Sequence, residues 1–411
     1  MEDTTKIPEL EQLLQPFLKD NLKIVQYTTK RLTAAGENYG SLMLQTEIKL
    51  KSNTDPTTEK TLNLVAKLTP SNEFIKKFFR TAITFKKEME FYTTIAPILK
   101  SIQIEQGVSE IIDCLPECYG ARISLDSKSN VVDDGAIVLL ENLKLKEFDI
   151  MDRFTGLDFE TTKLLVKDLA VFHAVVIGVK LLKPDVFKNK ILPHLGPVCM
   201  FEGLSKEAQQ QIVDGIIDIA GANHECVPLL PKVKKSLLES WENMKNPPEP
   251  REPFATITHN DFWVNNAMIK LEGNKPIKCK IVDFQLIEYG SPADDLIFFL
   301  FSSVRKEVLD LHYDNLIKLY YEVFIKTLKD LKCDISPFTY ASFEKEINTS
   351  AKMFQFLHIM IMLRPIFTPK KAATEVDNLS EQELLKDETI SDEYRQKVPE
   401  MILHFAKRGW I

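Results

Sequence analysis

The strongest constraint on this chain is a run of eight residues, HNDFWVNN, from His259 to Asn266. Asp261 and Asn266 in this run are separated by four residues. Apolar and β-branched residues then alternate with polar ones over residues 277–282, and this pattern predicts a strand. Asp283 follows directly. The order predicts a loop that carries Asp261 and Asn266, then a strand pair, with Asp283 where the second strand ends.

These residue types at this spacing are typical of a phosphoryl-transfer site. One Asp orients or accepts the proton of an attacking hydroxyl, while an Asn and a second Asp hold Mg²⁺ against the phosphates of ATP. A D-x4-N pair also occurs in ordinary loops, because Asp and Asn side chains favour turns through hydrogen bonds to the backbone. The motif therefore has to be weighed together with the segments upstream of it.

The upstream segments occur in the order that a nucleotide-covering sheet requires. Strands are predicted over residues 23–32 and 42–50, and the turn between them contains Gly36 and Gly40. Glycines at such a turn allow backbone N–H groups to approach phosphates. With two glycines only, an ordinary hairpin turn is the alternative interpretation.

A lysine and a glutamate follow at the expected places. Lys67 ends a predicted strand over residues 62–67, and Glu88 lies in a long helix predicted over residues 72–99. Glu88 can reach back to Lys67 and hold it against the phosphates. A solvated strand-end lysine and a surface glutamate are the alternatives, and the neighbouring lysines, Lys86 and Lys87, make the surface position plausible.

Two further predicted strands, over residues 119–125 and 136–140, complete a five-stranded antiparallel sheet. In a two-lobed kinase, the next residues, Glu141 to Leu145, would form the connector whose backbone hydrogen-bonds the adenine. Patterns downstream are mainly helical, so the sequence predicts an α+β protein with an N-terminal lobe over 1–141 and a C-terminal lobe over 142–411.

Composition excludes several classes of protein. The chain has 411 residues, of which 44% are apolar and 27% charged, as expected for a packed protein. Its net charge of −7 argues against a nucleic-acid partner. The first eight residues resemble no secretion signal, and no apolar run is long enough for a membrane span. The six cysteines lack paired spacing, so we expect free thiols and a cytoplasmic protein.

Several motifs resemble those of the insect ecdysteroid kinase-like family, which belongs to the choline kinase and aminoglycoside phosphotransferase group. The run from His259 to Asn266 resembles the H-G-D-x-W-x-N-N box of this family, and Val282–Gln285 contains its D-F-Q triplet. Four more segments resemble family motifs: GENYGS at 36–41, EMEFY at 88–92, LAVFHA at 169–174 and DDLIFFL at 294–300. The resemblance as a whole extends from about residue 20 to 405.

The resemblance implies a two-lobed, protein-kinase-like fold with a helical C-terminal lobe and small hairpins at the active site. It also implies an ATP- and Mg²⁺-dependent kinase that phosphorylates a hydroxyl of a small molecule, such as an ecdysteroid or a xenobiotic alcohol in detoxification. Asp261 would be the catalytic residue, with Asn266 and Asp283 as metal ligands. Residues expected to contact ATP are Asn38, Tyr39, Gly40, Ser41, Lys67, Glu88, Glu141 and Leu143.

One position departs from the family pattern, because Asn260 stands where the family usually has glycine. Asn tolerates left-handed backbone conformations better than most residues, so we expect activity to survive. Three other residues are expected to be structural. His173 lies on the apolar stripe of a helix predicted from Asp158 to about residue 177. Asp294 and Asp295 occur where a helix is predicted to begin, so one or both are expected to cap it.

Two other functions remain open at this point. One is a catalytically inactive protein that binds a steroid or a nucleotide. The other is a choline- or ethanolamine-type kinase, which needs an aromatic or anionic cage, and Trp263, Tyr289 and Asp294 are the candidates for it. A protein kinase is least favoured, because no activation segment follows Asp283. The sequence identifies neither the acceptor nor the oligomeric state.

Overall fold

The computed structural model describes residues 5–19, 21–32, 41–54, 59–198, 204–245, 249–369, 380, 386 and 390–411. A five-stranded antiparallel sheet occupies the N-terminal part, in the order β1-β2-β3-β5-β4. Its strands are β1 (Leu22–Arg31), β2 (Leu42–Ser52), β3 (Glu59–Leu68), β4 (Cys118–Arg122) and β5 (Ile137–Glu141). The predicted sheet is confirmed. Lys67 lies on the central strand β3, opposite Met43 on one side and Val138 on the other.

The two faces of this sheet pack against different partners. On one face, Leu10, Leu14 and Leu18 of helix α1 (Leu10–Leu18) are buried in a cluster that contains Ile137 and Leu139 of β5. The alternate residues of β5, Val138 and Leu140, belong to the main core of the protein. Because successive side chains of a strand point to opposite faces, β5 joins both layers.

The single helix predicted over residues 72–99 is wrong. The structure has α2 (Glu73–Phe78), α3 (Thr81–Glu90), a wide helical turn over Phe91–Ile95 and α4 (Ala96–Gln106). The break after α2 occurs because Arg80 adopts a left-handed backbone conformation, with φ of 50°. Pro97 does not end the helix, because it lies in the first turn of α4, where its missing N–H is tolerated.

The described chain after β5 is mainly helical. Its strands are β6 (Phe148–Ile150), β7 (Thr256–Thr258), β8 (Ala267–Glu272), β9 (Lys275–Ile281) and β10 (Glu288–Gly290), which form the small sheets β6-β8-β9 and β7-β10. Its helices are α5 (Phe159–Leu182), α6 (Pro184–Val186), α7 (Lys206–Gly221), α8 (Leu230–Lys245), α9 (Pro292–Ser303), α10 (Lys306–Asp330), α11 (Tyr340–Ser350), α12 (Phe356–Phe367) and α13 (Asp392–Lys407).

Helix α5 is the buried axis of this helical part. Its predicted cap is confirmed, because the Asp158 carboxylate accepts a hydrogen bond from the Thr161 N–H at 2.8 Å. The helix buries Leu165, Leu169 and Phe172 completely. Within the described residues, no helix has the length and apolar character needed to cross a bilayer. The α+β fold with a sheet and a helical part is thus confirmed, while the boundary between residues 141 and 142 stays a prediction.

Candidate active site

A buried lysine between two carboxylates lies at the centre of the site. The Lys67 Nζ atom is 2.6 Å from Oε2 of Glu88 on α3 and 2.6 Å from Oδ1 of Asp283, which follows β9. Lys67 is 3% exposed and Glu88 1%, so neither is the surface residue that the alternative interpretation required. Burial lowers the pKa of Lys67, but the two carboxylates outweigh burial and raise the pKa overall. Burial also raises the pKa of Glu88, and the positive charge of Lys67 opposes this rise.

Asp283 is held in place by the aromatic residue that follows it. Asp283 has a left-handed backbone with φ of 68°, an uncommon conformation for a residue other than glycine. The Phe284 ring is completely buried and stacks on Phe91 with a centroid distance of 3.7 Å, and it also contacts the rings of Phe172 and His259. This packing offsets the backbone strain and keeps the carboxylate next to Lys67.

Asp261 and Asn266 are brought together by a short 3₁₀ turn over Val264–Asn266. The Asn266 Nδ2 atom donates to the Asp261 carbonyl at 2.7 Å and to its Oδ2 at 2.9 Å. Asp261 keeps some exposed surface, but protein surrounds its carboxylate, and this burial raises its pKa. The Asp283 carboxylate raises this pKa further, while hydrogen bonds from Asn266 and Trp263 oppose the rise. Asp261 therefore has more affinity for a proton than an ordinary Asp.

Trp263 is a residue whose place in the site the sequence did not reveal. The sequence suggests Trp263 only for an ammonium cage, whereas in the structure its side chain donates a hydrogen bond to the Asp261 carboxylate. Its position two residues after Asp261 is the available signal. No local pattern distinguishes such a contact from an ordinary half-buried tryptophan.

His259 connects the loop of Asp261 to the end of β9. Its Nδ1 atom accepts from the Asp261 N–H at 3.2 Å, so the ring proton must be on Nε2, which donates to the Val282 carbonyl at 2.9 Å. Burial lowers the pKa of His259 and favours this neutral form. A neutral His259 thus fixes the position of Asp261 relative to Asp283.

The completely buried Asp295 carboxylate binds the backbone of the same loop. It accepts from the backbone N–H groups of His259 at 2.6 Å and Asn260 at 2.8 Å, and its third partner is His173 Nε2 at 3.0 Å. Burial raises the pKa of Asp295, but His173 and the other donors outweigh burial and lower it overall. The interpretation of Asp295 as a helix cap is wrong, since Ser291 caps α9.

His173 has the structural role that was predicted for it. It is completely buried on α5, and its Nδ1 atom is 2.6 Å from the Tyr320 hydroxyl of α10. With Nε2 bonded to Asp295, both ring nitrogens have partners. The chain Tyr320–His173–Asp295 therefore ties the helical core to the loop of Asp261.

Changing Asp295 to Ala should destabilise the fold strongly. The change leaves the N–H groups of His259 and Asn260 and the His173 ring buried without their acceptor. We expect a loss of about 3–5 kcal/mol in the free energy of unfolding, measured by chemical denaturation. The control is Asp392→Ala, an exposed acid in the first turn of α13, which should cost no more than about 1 kcal/mol. Equal losses in the two variants would contradict a supporting role for Asp295.

Asn260, which stands where the family usually has glycine, adopts a left-handed backbone conformation. Its φ is 61°, and its Nδ2 atom donates to the Leu286 carbonyl at 3.0 Å. Asn260 thus adopts the left-handed conformation, while the expectation that activity survives stays a prediction. We expect Asn260→Gly to keep the melting temperature nearly unchanged and Asn260→Val to cost about 1–2 kcal/mol, because a β-branched residue is strained there. An unaffected Asn260→Val variant in calorimetry would show that the loop relaxes.

The other residues predicted to contact the nucleotide either lie outside the described residues or are buried within the protein. Asn38, Tyr39 and Gly40 lie outside the described residues, and Ser41 is buried just before β2. The Glu141 carboxylate is buried, accepts from the Glu117 N–H at 2.9 Å and pairs with Lys146.

The Glu141 carboxylate is therefore engaged within the protein. Leu143 is also buried, and its carbonyl accepts from the N–H of Phe148 at 3.1 Å. A contact with adenine from either residue would have to come from backbone atoms, and it stays a prediction.

The oxygen atoms at the centre of the site fit a magnesium ion. Oδ1 of Asn266 and Oδ2 of Asp283 make no hydrogen bond with any described residue. Lys67 pairs with the carboxylates of Glu88 and Asp283, and Asp261 is a third acid close enough for Lys67 to oppose the rise of its pKa. No group of three His, Cys, Asp or Glu residues in the described ranges forms a complete metal cage. Mg²⁺ usually takes one or two protein ligands and completes its shell with water and phosphate, so Asn266 and Asp283 could hold it.

Comparison with known families agrees with this geometry. Residues 35–333 match the model of the ecdysteroid kinase-like family, which is most of the chain. The chain belongs to the ecdysteroid kinase-like family. This membership confirms the resemblance and supports a small-molecule phosphotransferase with a kinase-like fold. No curated protein matches the chain.

Solved structures resemble the chain over most of its length at low sequence identity. A putative aminoglycoside phosphotransferase from Ralstonia eutropha is 12% identical with a TM-score of 0.43, covering 97% of this chain and 98% of its own. Plasmodium vivax ethanolamine kinase is 10% identical with a TM-score of 0.39, covering 98% and 87%. A spectinomycin phosphotransferase in complex with ADP and spectinomycin is 13% identical with a TM-score of 0.28, covering 82% and 93%.

Proposed function

We propose that this protein transfers the γ-phosphoryl group of ATP to a hydroxyl of a small molecule, as a phosphotransferase with an alcohol acceptor. The observation that carries the proposal is the convergence of Asp261, Asn266 and Asp283 on the buried Lys67–Glu88 pair. These residues come from four separate parts of the chain. Such a set is expected where a triphosphate is bound and a hydroxyl is activated.

Each side chain has a defined task in this proposal. Asp261 accepts the proton of the acceptor hydroxyl, and its raised pKa suits a proton acceptor. Lys67, held by Glu88, binds the phosphate oxygens of ATP and exchanges its contact with Asp283 for them. Asn266 and Asp283 would hold Mg²⁺, which neutralises the charge on the phosphates. The protein itself contributes position and charge rather than covalent chemistry.

An ecdysteroid or a similar steroid or xenobiotic alcohol is the acceptor that we propose, on the basis of the family. A choline-type acceptor is disfavoured, because the three residues proposed for its cage have other partners. The Tyr289 hydroxyl donates to Glu252 at 2.5 Å, and its ring lies 5.5 Å from the Lys180 ammonium, which repels a cationic ligand. Trp263 hydrogen-bonds Asp261, and Asp294 hydrogen-bonds Ser350 near Arg251.

An ATP-consumption screen tests the proposal. Purified protein is incubated with ATP and Mg²⁺ and with ecdysteroids, other steroid alcohols, plant glycosides, choline or ethanolamine, one at a time. Phosphorylated product with an ecdysteroid or another uncharged alcohol supports the proposal. Turnover with choline or ethanolamine alone would replace the proposed acceptor.

Calorimetry with ATP, with and without Mg²⁺, separates an enzyme from an inactive binding protein. Binding that strengthens when Mg²⁺ is present is expected for the site described above. Nucleotide or steroid binding without turnover of any acceptor would favour an inactive binding protein over a kinase. Absence of both binding and turnover would contradict the proposal itself.

A further inference from the structure

A second buried lysine, next to Glu88 on α3, has no role in the phosphoryl transfer described so far. Lys87 is 5% exposed, and its Nζ atom donates to the Ile287 carbonyl at 2.7 Å and to the Gly196 carbonyl. Its partners are 200 and 109 residues away in the sequence. Lys87 thus joins a helix of the N-terminal part to two loops of the helical part.

The surroundings of Lys87 explain how a buried amine is tolerated. Burial lowers the pKa of Lys87 to about 8, Arg80 acts in the same direction, and the Glu288 carboxylate opposes both. An ammonium group has three N–H donors and a neutral amine has two. Either form can therefore bond both carbonyls, so the contact survives across the neutral pH range.

The two loops that Lys87 contacts are also bonded to each other. The Val198 N–H donates to the Glu288 carboxylate at 2.5 Å, and the Tyr289 N–H donates to the Leu195 carbonyl at 3.2 Å. Ile287 directly follows the 3₁₀ turn Phe284–Leu286, which begins after Asp283. Residues 195–198 and 287–289 therefore form one unit that is continuous with the Asp283 segment.

Lys87 and Glu88 are consecutive on α3, so their side chains point about 100° apart around the helix. One rotation of α3 allows Glu88 to reach Lys67 and Lys87 to reach the loop carbonyls. We propose that Lys87 is a positioning residue for phosphoryl transfer, which ties α3 to the 195–198 and 287–289 loops and thereby holds Glu88 against Lys67. This inference rests on the proposed function for its effect on catalysis, while its structural part can be tested without turnover.

Hydrogen exchange of the protein without ligands tests the structural part. The variant is Lys87→Met, and the matched control is Lys86→Met, the same change at the preceding, less buried position of α3. In Lys87→Met, amides of α3 and of residues 195–198 should exchange faster than in wild type, whereas Lys86→Met should leave both unchanged. Unchanged exchange in a folded Lys87→Met variant would overturn the proposal. If that variant does not fold, Lys87→Gln, which keeps a shorter donor, is measured instead.

Comparing the effect of Lys87→Met on kcat in wild type and in a Glu88→Gln variant tests whether Lys87 acts through Glu88. Lys87→Met should lower kcat by about 10- to 100-fold, the size expected for a small misplacement of a positioning group. In a Glu88→Gln background, the same change should lower kcat by less than about 3-fold, because the pair it positions is already lost. Full additivity would show a general structural role and overturn the proposal. An inactive wild type would instead contradict the proposed function, and the exchange experiment would still decide the structural part.

Discussion

Asp283→Ala is expected to lower ATP-dependent turnover by about 10³-fold or more, the upper range for loss of a charge-stabilising group at a reacting centre. The change removes one of the two proposed Mg²⁺ ligands and one carboxylate from Lys67. Glu88 remains 2.6 Å from Lys67, so the buried ammonium keeps a partner and the fold should persist. Turnover and the melting temperature are measured on the same preparation.

The matched control is Asp134→Ala, which also removes a carboxylate from a lysine. Asp134 is 3.1 Å from Lys76, but its side chain is 90% exposed. A surface ion pair of this kind contributes at most about 1 kcal/mol, so neither turnover nor stability should change much. Normal turnover in Asp283→Ala would mean that the metal assignment is wrong.

Asp261→Asn is expected to lower kcat by about 10²- to 10⁴-fold, the usual contribution of a general base. The substitution nearly preserves size and keeps one side-chain oxygen for the hydrogen bond from Asn266, but it removes the negative charge and the ability to take up a proton. The affinity for ATP, measured by calorimetry, should therefore stay close to that of wild type. An unchanged kcat would show that the proton of the acceptor hydroxyl does not go to Asp261.

The pH dependence of kcat gives a second readout of the same residue. A proton acceptor works only when ionised, so kcat falls as the pH decreases through its pKa. Burial and the Asp283 carboxylate raise the pKa of Asp261, which places this acid limb above the ordinary Asp value of about 3.9. The limb should be absent from the residual activity of Asp261→Asn. A limb that persists unchanged in this variant would assign the titration to another group.

Local patterns in the sequence predict which residues meet in much of the candidate site, because the proposed chemistry depends on short spacings. The four residues between Asp261 and Asn266 form a turn that lets one side chain hydrogen-bond the other. Short apolar runs predict β3 and β5 and place Lys67 on a strand, whereas the central position of that strand follows from its pairing with β2 and β5. The order of the elements also predicts the ion pair between Lys67 and Glu88, although α3, the helix that carries Glu88, is shorter than the predicted helix.

The prediction for Asp295 failed because its partners are distant in the chain. Asp295 occurs in the first turn of α9, where a cap is the ordinary interpretation, but its partners at His259 and Asn260 are 36 and 35 residues away. Arg80 divides the predicted helix through a backbone conformation that no local pattern indicates.

The sequence alone determined the order of the five N-terminal strands, the family and the residue types proposed to meet the phosphates, because these depend on periodicity and on short motifs. Only the tertiary structure decided which charges are buried and what they contact. Lys86 and Lys87 are identical in type and adjacent in sequence, yet only Lys87 is buried against two carbonyls. Which of the two lysines is buried depends on the rotation of α3 against loops that are more than 100 residues away in the sequence. That rotation is set by tertiary packing and not by the local sequence.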